Sequence, residues 1–461
     1  MLHTTVCSFL SAISMNGNDM VNRLEIKSNS PGFREALRVY ARIGLLSFGG
    51  PAGQIALMHR ELVEDRHWVD EEQYLNALNF CNLLPGPEAQ QLATWVGWRL
   101  HGVRGGLVAG TLFVLPGAVV MLALSILYAF AANLGWFEAL FLGIKAAVLA
   151  IVVQALLRIG GRALNSNFKR ALAVSAFIAL FLFNLPFPLV VLGAGALGML
   201  VAAWRPEWLL LKMSSDTSTQ QAPRPWPQTI RAILIWGSIW ALPLALILSI
   251  FGQDHVLWQI GAFFSQLAVV TFGGAYAVLA YMAQEAVNGF GWLQPGEMAD
   301  GLGLAETTPG PLIMVTQFVG FLAAFRAPEP FSPIVGGIIG AVVTTWVTFA
   351  PCFMWIFALA PWMERLQHAK RLKGGLAAIT AAVVGVIANL TVWFALHVLF
   401  AQVDRTVIGP FHLDIPAWQS LDWRAALLSI AAIFLIFRLR WNVIQSLTIL
   451  ALAGLGLAQI G

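Results

Sequence analysis

The chain reads Ser47-Phe48-Gly49-Gly50-Pro51-Ala52-Gly53-Gln54 at one point and Thr271-Phe272-Gly273-Gly274-Ala275-Tyr276-Ala277-Val278 at another. Both stretches lie in apolar surroundings, and both put a glycine pair where a helix would otherwise continue. Glycine and proline weaken helix interiors. In hydrocarbon an open backbone is tolerated only where protein buries it or where it lines a cavity. The register that sets Ser47 on Thr271 also sets Ala56 on Ala280, Met58 on Met282, Glu61 on Glu285 and Trp68 on Trp292. Pro85-Gly86-Pro87 then falls on Pro309-Gly310-Pro311 without a gap. Further on the spacing lengthens, so that Pro116 meets Pro351 and the run from Lys145 meets the run from Thr380. The pattern is a tandem duplication, 33–204 and 256–461.

Composition sets the class. Of 461 residues, 58% are hydrophobic and only 11% charged, with a mean hydropathy of +0.75. Soluble domains carry about 25% charged residues, so this is an all-α polytopic membrane protein. The net charge of +4 is small, and its basic residues cluster between apolar runs. That suits membrane topology better than nucleic-acid binding. Cys7, Cys81 and Cys352 form no metal-like spacing and read as small buried apolar residues. Neither a Walker motif nor HExxH occurs, so no cofactor, metal or ATP-driven cycle is expected. Gly193–Gly198 matches GxGxxG but sits in an expected span with no strand before it. Gly336–Gly340 has the GxxxG spacing of helix packing. Residues 1–32 lack a basic segment before their apolar patch and read as a disordered leader.

Short cytoplasmic loops are rich in Lys and Arg. The segment 131–141 carries only Glu138, whereas its counterpart from Met363 is strongly basic. The next connection reverses this: Arg158, Arg162, Lys169 and Arg170 stand against Asp404, Asp414 and Asp422 with one Arg405. The hairpin after it is neutral at Asn184 and basic at Arg438. Three successive reversals predict halves of inverted topology. The segment 205–255 then supplies a cytoplasmic linker and one further crossing at 230–251. The expected spans are 105–130, 136–158, 170–184, 188–203, 230–251, 336–360, 376–400, 424–437 and 443–459, with the N-terminus inside and the C-terminus outside. Phe33–Phe48, Gly53–Arg66, Glu72–Leu84 and Glu88–Leu100 are too short to cross alone and read as re-entrant hairpins or broken spans.

A half-helix starting at mid-membrane presents unpaired N–H groups and the positive end of its dipole, which suits an anion. Breaks at matching places in two repeats point to a transporter's binding site. The expected substrate contacts in the first half are Ser47, Gly49, Gly50, Pro51, Gly53, Gln54, Pro85, Gly86, Pro87, Glu88 and Gln91. Gly273, Gly274, Thr308 and Gly310 join them from the second half, with Thr307 and Gln317 nearby. The first half is the more polar and is expected to carry more of the contacts. Glu88 either serves the helix start structurally, competes with substrate or carries a proton. Lys145, an intramembrane cation, either faces a dianion or snorkels to the interface.

At Phe48–Ala56, Leu83–Ala93 and Gly110–Gly117 the sequence resembles the chromate ion transporter family, in its long-chain, two-domain form. The resemblance covers both halves. It implies a bacterial inner-membrane protein that exports chromate and confers resistance, driven by the proton-motive force. It carries the family motif onto Phe48, Gly49, Gly50, Pro51, Gly53, Pro85, Gly86, Pro87 and Glu88. Chromate is then the partner, with sulfate sharing its shape and charge, protons as the coupling ion, and a homodimer left open. Uptake of sulfate or another oxyanion, a channel, and a membrane-bound chromate reductase are the alternatives, the last without a visible flavin, nicotinamide or metal site.

Overall fold

The computed structural model describes residues 31–132, 134–210, 225–272 and 275–459, the side chains of Ala275 and Ala277 excepted. The expected leader, the centre of the linker, and Gly273 and Gly274 lie outside the described residues.

Helix α1 (Phe33–Leu46) is amphipathic. It buries Ala36, Val39, Tyr40, Ile43 and Gly44, the spacing of one helical face. After the break, α2 (Gly50–His59) starts with proline in its first turn, where a missing N–H costs nothing. It runs on as a π turn, Arg60–Glu64. Asp70 then caps α3 (Glu71–Cys81) by accepting from the Gln73 N–H. Helix α4 (Glu88–Ala131) is two rods joined at His101 and Gly102, where φ is −136° and +63°. The first rod folds back on the second so tightly that a Cβ at Gly97 would lie 2.3 Å from the Gly105 carbonyl oxygen. Such backbone contact is how helices associate in lipid, where burial from water offers little. Next come α5 (Gly135–Ala163), α6 (Asn167–Phe181), α7 (Phe187–Trp204) and α8 (Trp226–Phe251).

The second half follows in the same order: α9 (Val256–Val270), α10 (Ala275–Gln284) with its own π turn Glu285–Gly289, and α11 (Pro295–Thr307). A short turn, Leu312–Met314, leads into α12 (Val315–Arg326). This helix packs on α13 (Pro333–Leu359) through Gly320, Gly336 and Gly340, which is the role the GxxxG spacing predicts. Two glycines of the GxGxxG match, Gly195 and Gly198, also pack helices, whereas Gly193 faces open space. Gly198 meets Ala378 and Gly374 on α15 (Lys370–Leu399), which follows the short α14 (Met363–His368). The chain closes with α16 (Trp423–Ile433) and α17 (Val443–Ala458).

Six of the nine expected spans are helices long and apolar enough to cross a membrane. The others, α6, α16 and α17, have 15, 11 and 16 residues, α16 running on into a five-residue π turn, Phe434–Arg438. At ~1.5 Å per residue these fall short of a ~30 Å hydrocarbon core. The loop expected after α15 is instead a β-hairpin of β1 (Val403–Ile408) and β2 (Phe411–Pro416). Arg405 faces Asp414 across its strands, and its tip is tied to α6 by the His412 N–H donating to the Leu182 carbonyl.

Candidate functional site

Each half ends its first helix with a hydroxyl residue. Ser47 Oγ donates to the Ile43 carbonyl at 2.7 Å, and Thr271 Oγ1 donates to the Leu267 carbonyl at 2.5 Å. The side chain thus satisfies the last turn, and the residue's own carbonyl is turned outward. Both carbonyls are then used by the opposite half. The Gly310 N–H donates to the Ser47 oxygen at 2.8 Å, and the Gly86 N–H donates to the Thr271 oxygen at 2.9 Å. These four residues are the ones that the repeat register pairs. The two bonds are therefore one contact made twice.

Glycine is required at both donors. Gly86 has φ +113° and Gly310 φ +91°, in the region that L side chains avoid. A Cβ at Gly86 would also lie 2.8 Å from Cys352 Sγ on α13, and one at Gly310 would lie 3.3 Å from Gly117 Cα on α4. Gly117 and Cys352 follow Pro116 and Pro351, again matched positions. Each Pro-Gly-Pro turn is thus seated against the proline-containing spanning helix of the other half. The start of α2 comes beside the start of the Leu312–Arg326 segment, and the start of α4 beside the end of α9.

Unmatched side chains distinguish the halves. Gln54 Nε2 donates to the Gly310 carbonyl at 2.5 Å, and Gln91 Nε2 to the Pro85 carbonyl at 2.6 Å, where the second half has Val278 and Val315. From the second half Gln317 Nε2 reaches the Ala118 carbonyl at 3.0 Å. The Oε1 atoms of Gln90, Gln91 and Gln317 are buried with no hydrogen-bond partner among the described residues. Buried polar atoms are nearly always paired, so these amide oxygens hold acceptor capacity in reserve beside the breaks. Pro87 precedes α4 and Glu88 is its first residue, beside the N–H groups that no intrahelical acceptor reaches. Thr308 is buried and spends its hydroxyl on the Ala305 carbonyl. Gly49 and Gly50 face open space, whereas Gly53 lies close under the Phe48 carbonyl. Of the predicted residues, Ser47, Gln54 and Gly310 are joined in one hydrogen-bonded group, Gly86 is bonded to Thr271, and Gln91 is bonded to Pro85 beside it.

Lys145 stands apart from that group. Its helix starts at Gly135, so it lies about three turns in. Its Nζ sits 3.4 Å from Asp300 Oδ1, on α11 roughly two turns before Thr308. Tyr128 OH donates to the other oxygen, Oδ2, at 2.7 Å. Tyr276 likewise donates to Glu306 Oε1 at 2.7 Å. Sequence reading missed all four of these partners. The available signal was the pair of acids in the otherwise neutral, apolar stretch from Met298 to Gly310.

At the far end of α2 lies a charged cluster. Glu61, only 2% exposed, accepts from Arg66 Nη1 at 2.5 Å and pairs with Arg42 Nε at 3.3 Å. His59 bridges Glu64 and Glu71 at 3.0 and 2.6 Å. The Glu71 hydrogen bond, aided by both carboxylates' charge and opposed by burial, raises the imidazole pKa above its ordinary value.

Fold and site together define a polytopic α-helical membrane protein built around paired helix breaks. The chain belongs to the chromate transporter family, whose family model matches residues 34–199 and again 258–457. It is 33% identical over 380 residues to a chromate transport protein of Pseudomonas aeruginosa, covering 80% of this chain and 82% of that one. A chromate transport protein of Cupriavidus metallidurans is 28% identical over 366 residues, 78% of this chain and 82% of its own. An uncharacterized transporter of Methanocaldococcus jannaschii is 26% identical over 385 residues, 83% and 89% of the two chains. No solved structure matches the chain.

Proposed function

We propose that this protein exports chromate from the cytoplasm across the inner membrane by alternating access, exchanging it against protons and so conferring chromate resistance. Family membership supports the substrate. The observation that carries the mechanism is the doubled contact between the breaks, Gly86 to Thr271 and Gly310 to Ser47. It sets helix starts at a seam between two similar halves, and rocking one half against the other would open that seam to alternate sides. In this reading 33–204 and 256–461 are inverted repeats joined by a linker and crossing at 205–255.

Helix starts and amides sense charge and shape more than the central atom of an oxyanion. Sulfate, a tetrahedral dianion like chromate at alkaline pH, should therefore compete, and planar monovalent nitrate should compete poorly. The test is labelled-chromate uptake into inverted vesicles, with the proton gradient and the potential collapsed separately. Saturable uptake that sulfate inhibits competitively is expected. Uptake that rises linearly with concentration, or strong inhibition by nitrate with none by sulfate, would overturn the proposal.

A further inference from the structure

We propose that Asp300, held between Lys145 and Tyr128, takes up and returns the coupling proton, and that its protonation unlatches α11 from α5. This rests on the transport reading above and adds the residue through which the proton acts.

The three residues come from different elements of both halves: Tyr128 from α4, Lys145 from α5 and Asp300 from α11. Asp300 is 3% exposed. Tyr128 occupies Oδ2, and its ring is wedged among Phe137, Phe141 and Phe318, so this donor is fixed. Oδ1 faces Lys145 Nζ at 3.4 Å, close enough for an ion pair, yet it lacks a hydrogen bond. A buried ion pair without full hydrogen bonding gains little over its neutral alternative. Oδ1 is thus a poorly committed carboxylate oxygen. Lys145 keeps 22% of its side chain exposed, so the pair is not sealed within the protein. Its room against α11 depends on Gly296, where a Cβ would lie 3.0 Å from Nζ.

The other charges around Asp300 are accounted for. Glu297 on α11 is bound by both terminal nitrogens of Arg326 from α12, at 2.9 and 2.5 Å. Helix α17 carries no titratable residue. Those of α15, namely Lys370, Arg371, Lys373 and His397, lie in its first and last turns. Lys145 is therefore the cation whose pairing depends on the state of Asp300.

The step is a proton transfer alone. A proton delivered by hydronium bonds to Oδ1, leaving water, the ion pair is lost, and Lys145 keeps its charge. Return of the proton to water on the other side restores the carboxylate and the pair. Helix α11 leads directly into the Gly310 turn, so its release from α5 reaches the break. The ionised, latched form holds substrate and the protonated form makes the empty return. Such mutual exclusion is what exchange of a proton for an exported anion requires.

The experiment uses purified protein in weakly buffered detergent, with chromate binding measured by equilibrium dialysis and proton release by a pH indicator. Wild-type protein should release about one proton per chain as chromate binds. Asp300→Asn should bind chromate and release none. Lys145→Gln should move half-maximal release to higher pH, because losing a cation disfavours the carboxylate. This second variant decides the matter if the first does not fold. Absence of chromate binding by the wild type would defeat the transport reading. Binding without proton release, undiminished release from Asp300→Asn, or an unmoved profile in Lys145→Gln would each defeat the assignment of Asp300.

Discussion

At the scale of single residues, Gly86 and Gly310 bear the most constraint. An L residue forced into the left-handed region costs about 1–2 kcal/mol, and a Cβ would add crowding at Cys352 or Gly117. Gly86→Ala and Gly310→Ala should therefore both lower the unfolding temperature in detergent, by comparable amounts, because each breaks the same doubled contact. A stable Gly310→Ala beside an unstable Gly86→Ala would disprove the equivalence. Gln54→Leu is a different test. It leaves the buried Gly310 carbonyl without its side-chain donor, a loss of about 1–3 kcal/mol, and it removes an amide from the seam. We expect reduced chromate affinity as well as reduced stability, measured by dialysis and by thermal unfolding. The glycines were legible in the sequence because only glycine suits such a turn. That their N–H groups bond to Thr271 and Ser47 was not, since a partner so distant in the chain leaves no local pattern. The Lys145 to Asp300 pair was hidden for the same reason.

At the scale of elements, α2 and α10 both run into π turns, Arg60–Glu64 and Glu285–Gly289. The first is flanked by the His59 contact to α3. His59 is raised above its ordinary value of about 6.5. Its contribution to stability is thus complete below that value and is lost as pH climbs through the raised folded value. Melting temperature should fall modestly from pH 6 to pH 9, since Glu64 and Glu71 are largely in water. In His59→Gln that part of the slope should vanish. An identical slope in both proteins would remove the contact from the account. Apolar runs and the glycine breaks located the first-half helices and the long apolar helices of the second half in advance. The β-hairpin escaped because its six-residue strands sit between long apolar helices and alternate only weakly, with Val407 and Ile408 both exposed.

At the scale of the whole molecule, the proposed inversion makes matching ends of α5 and α15 emerge on opposite sides. Arg162 and Gln402 lie just at or beyond those ends, and both are exposed. With Cys7 replaced, Arg162→Cys should react with a membrane-impermeant thiol reagent only from the cytoplasmic side, and Gln402→Cys only from the outer side. Cys81 and Cys352 are buried and should stay silent. Reaction of both introduced cysteines from one side would rule out inversion. The reversals of charge between loops are the sequence signal from which the proposed orientation is argued. How the halves meet was not readable, because glycine and small-residue packing carries no charge signature.

The doubled contact has a consequence for assembly. Neither half closes its own Pro-Gly-Pro turn: each lends a carbonyl and borrows one. A chain carrying a single half would be left with an open socket and an unclaimed plug, and a second such chain would present the complement of both. Severing the protein between 210 and 225 should then leave two fragments that find each other in the membrane, and either fragment alone should be degraded. On this view the peptide link between the halves keeps them in equal number and close together, while their mutual fit belongs to the fold.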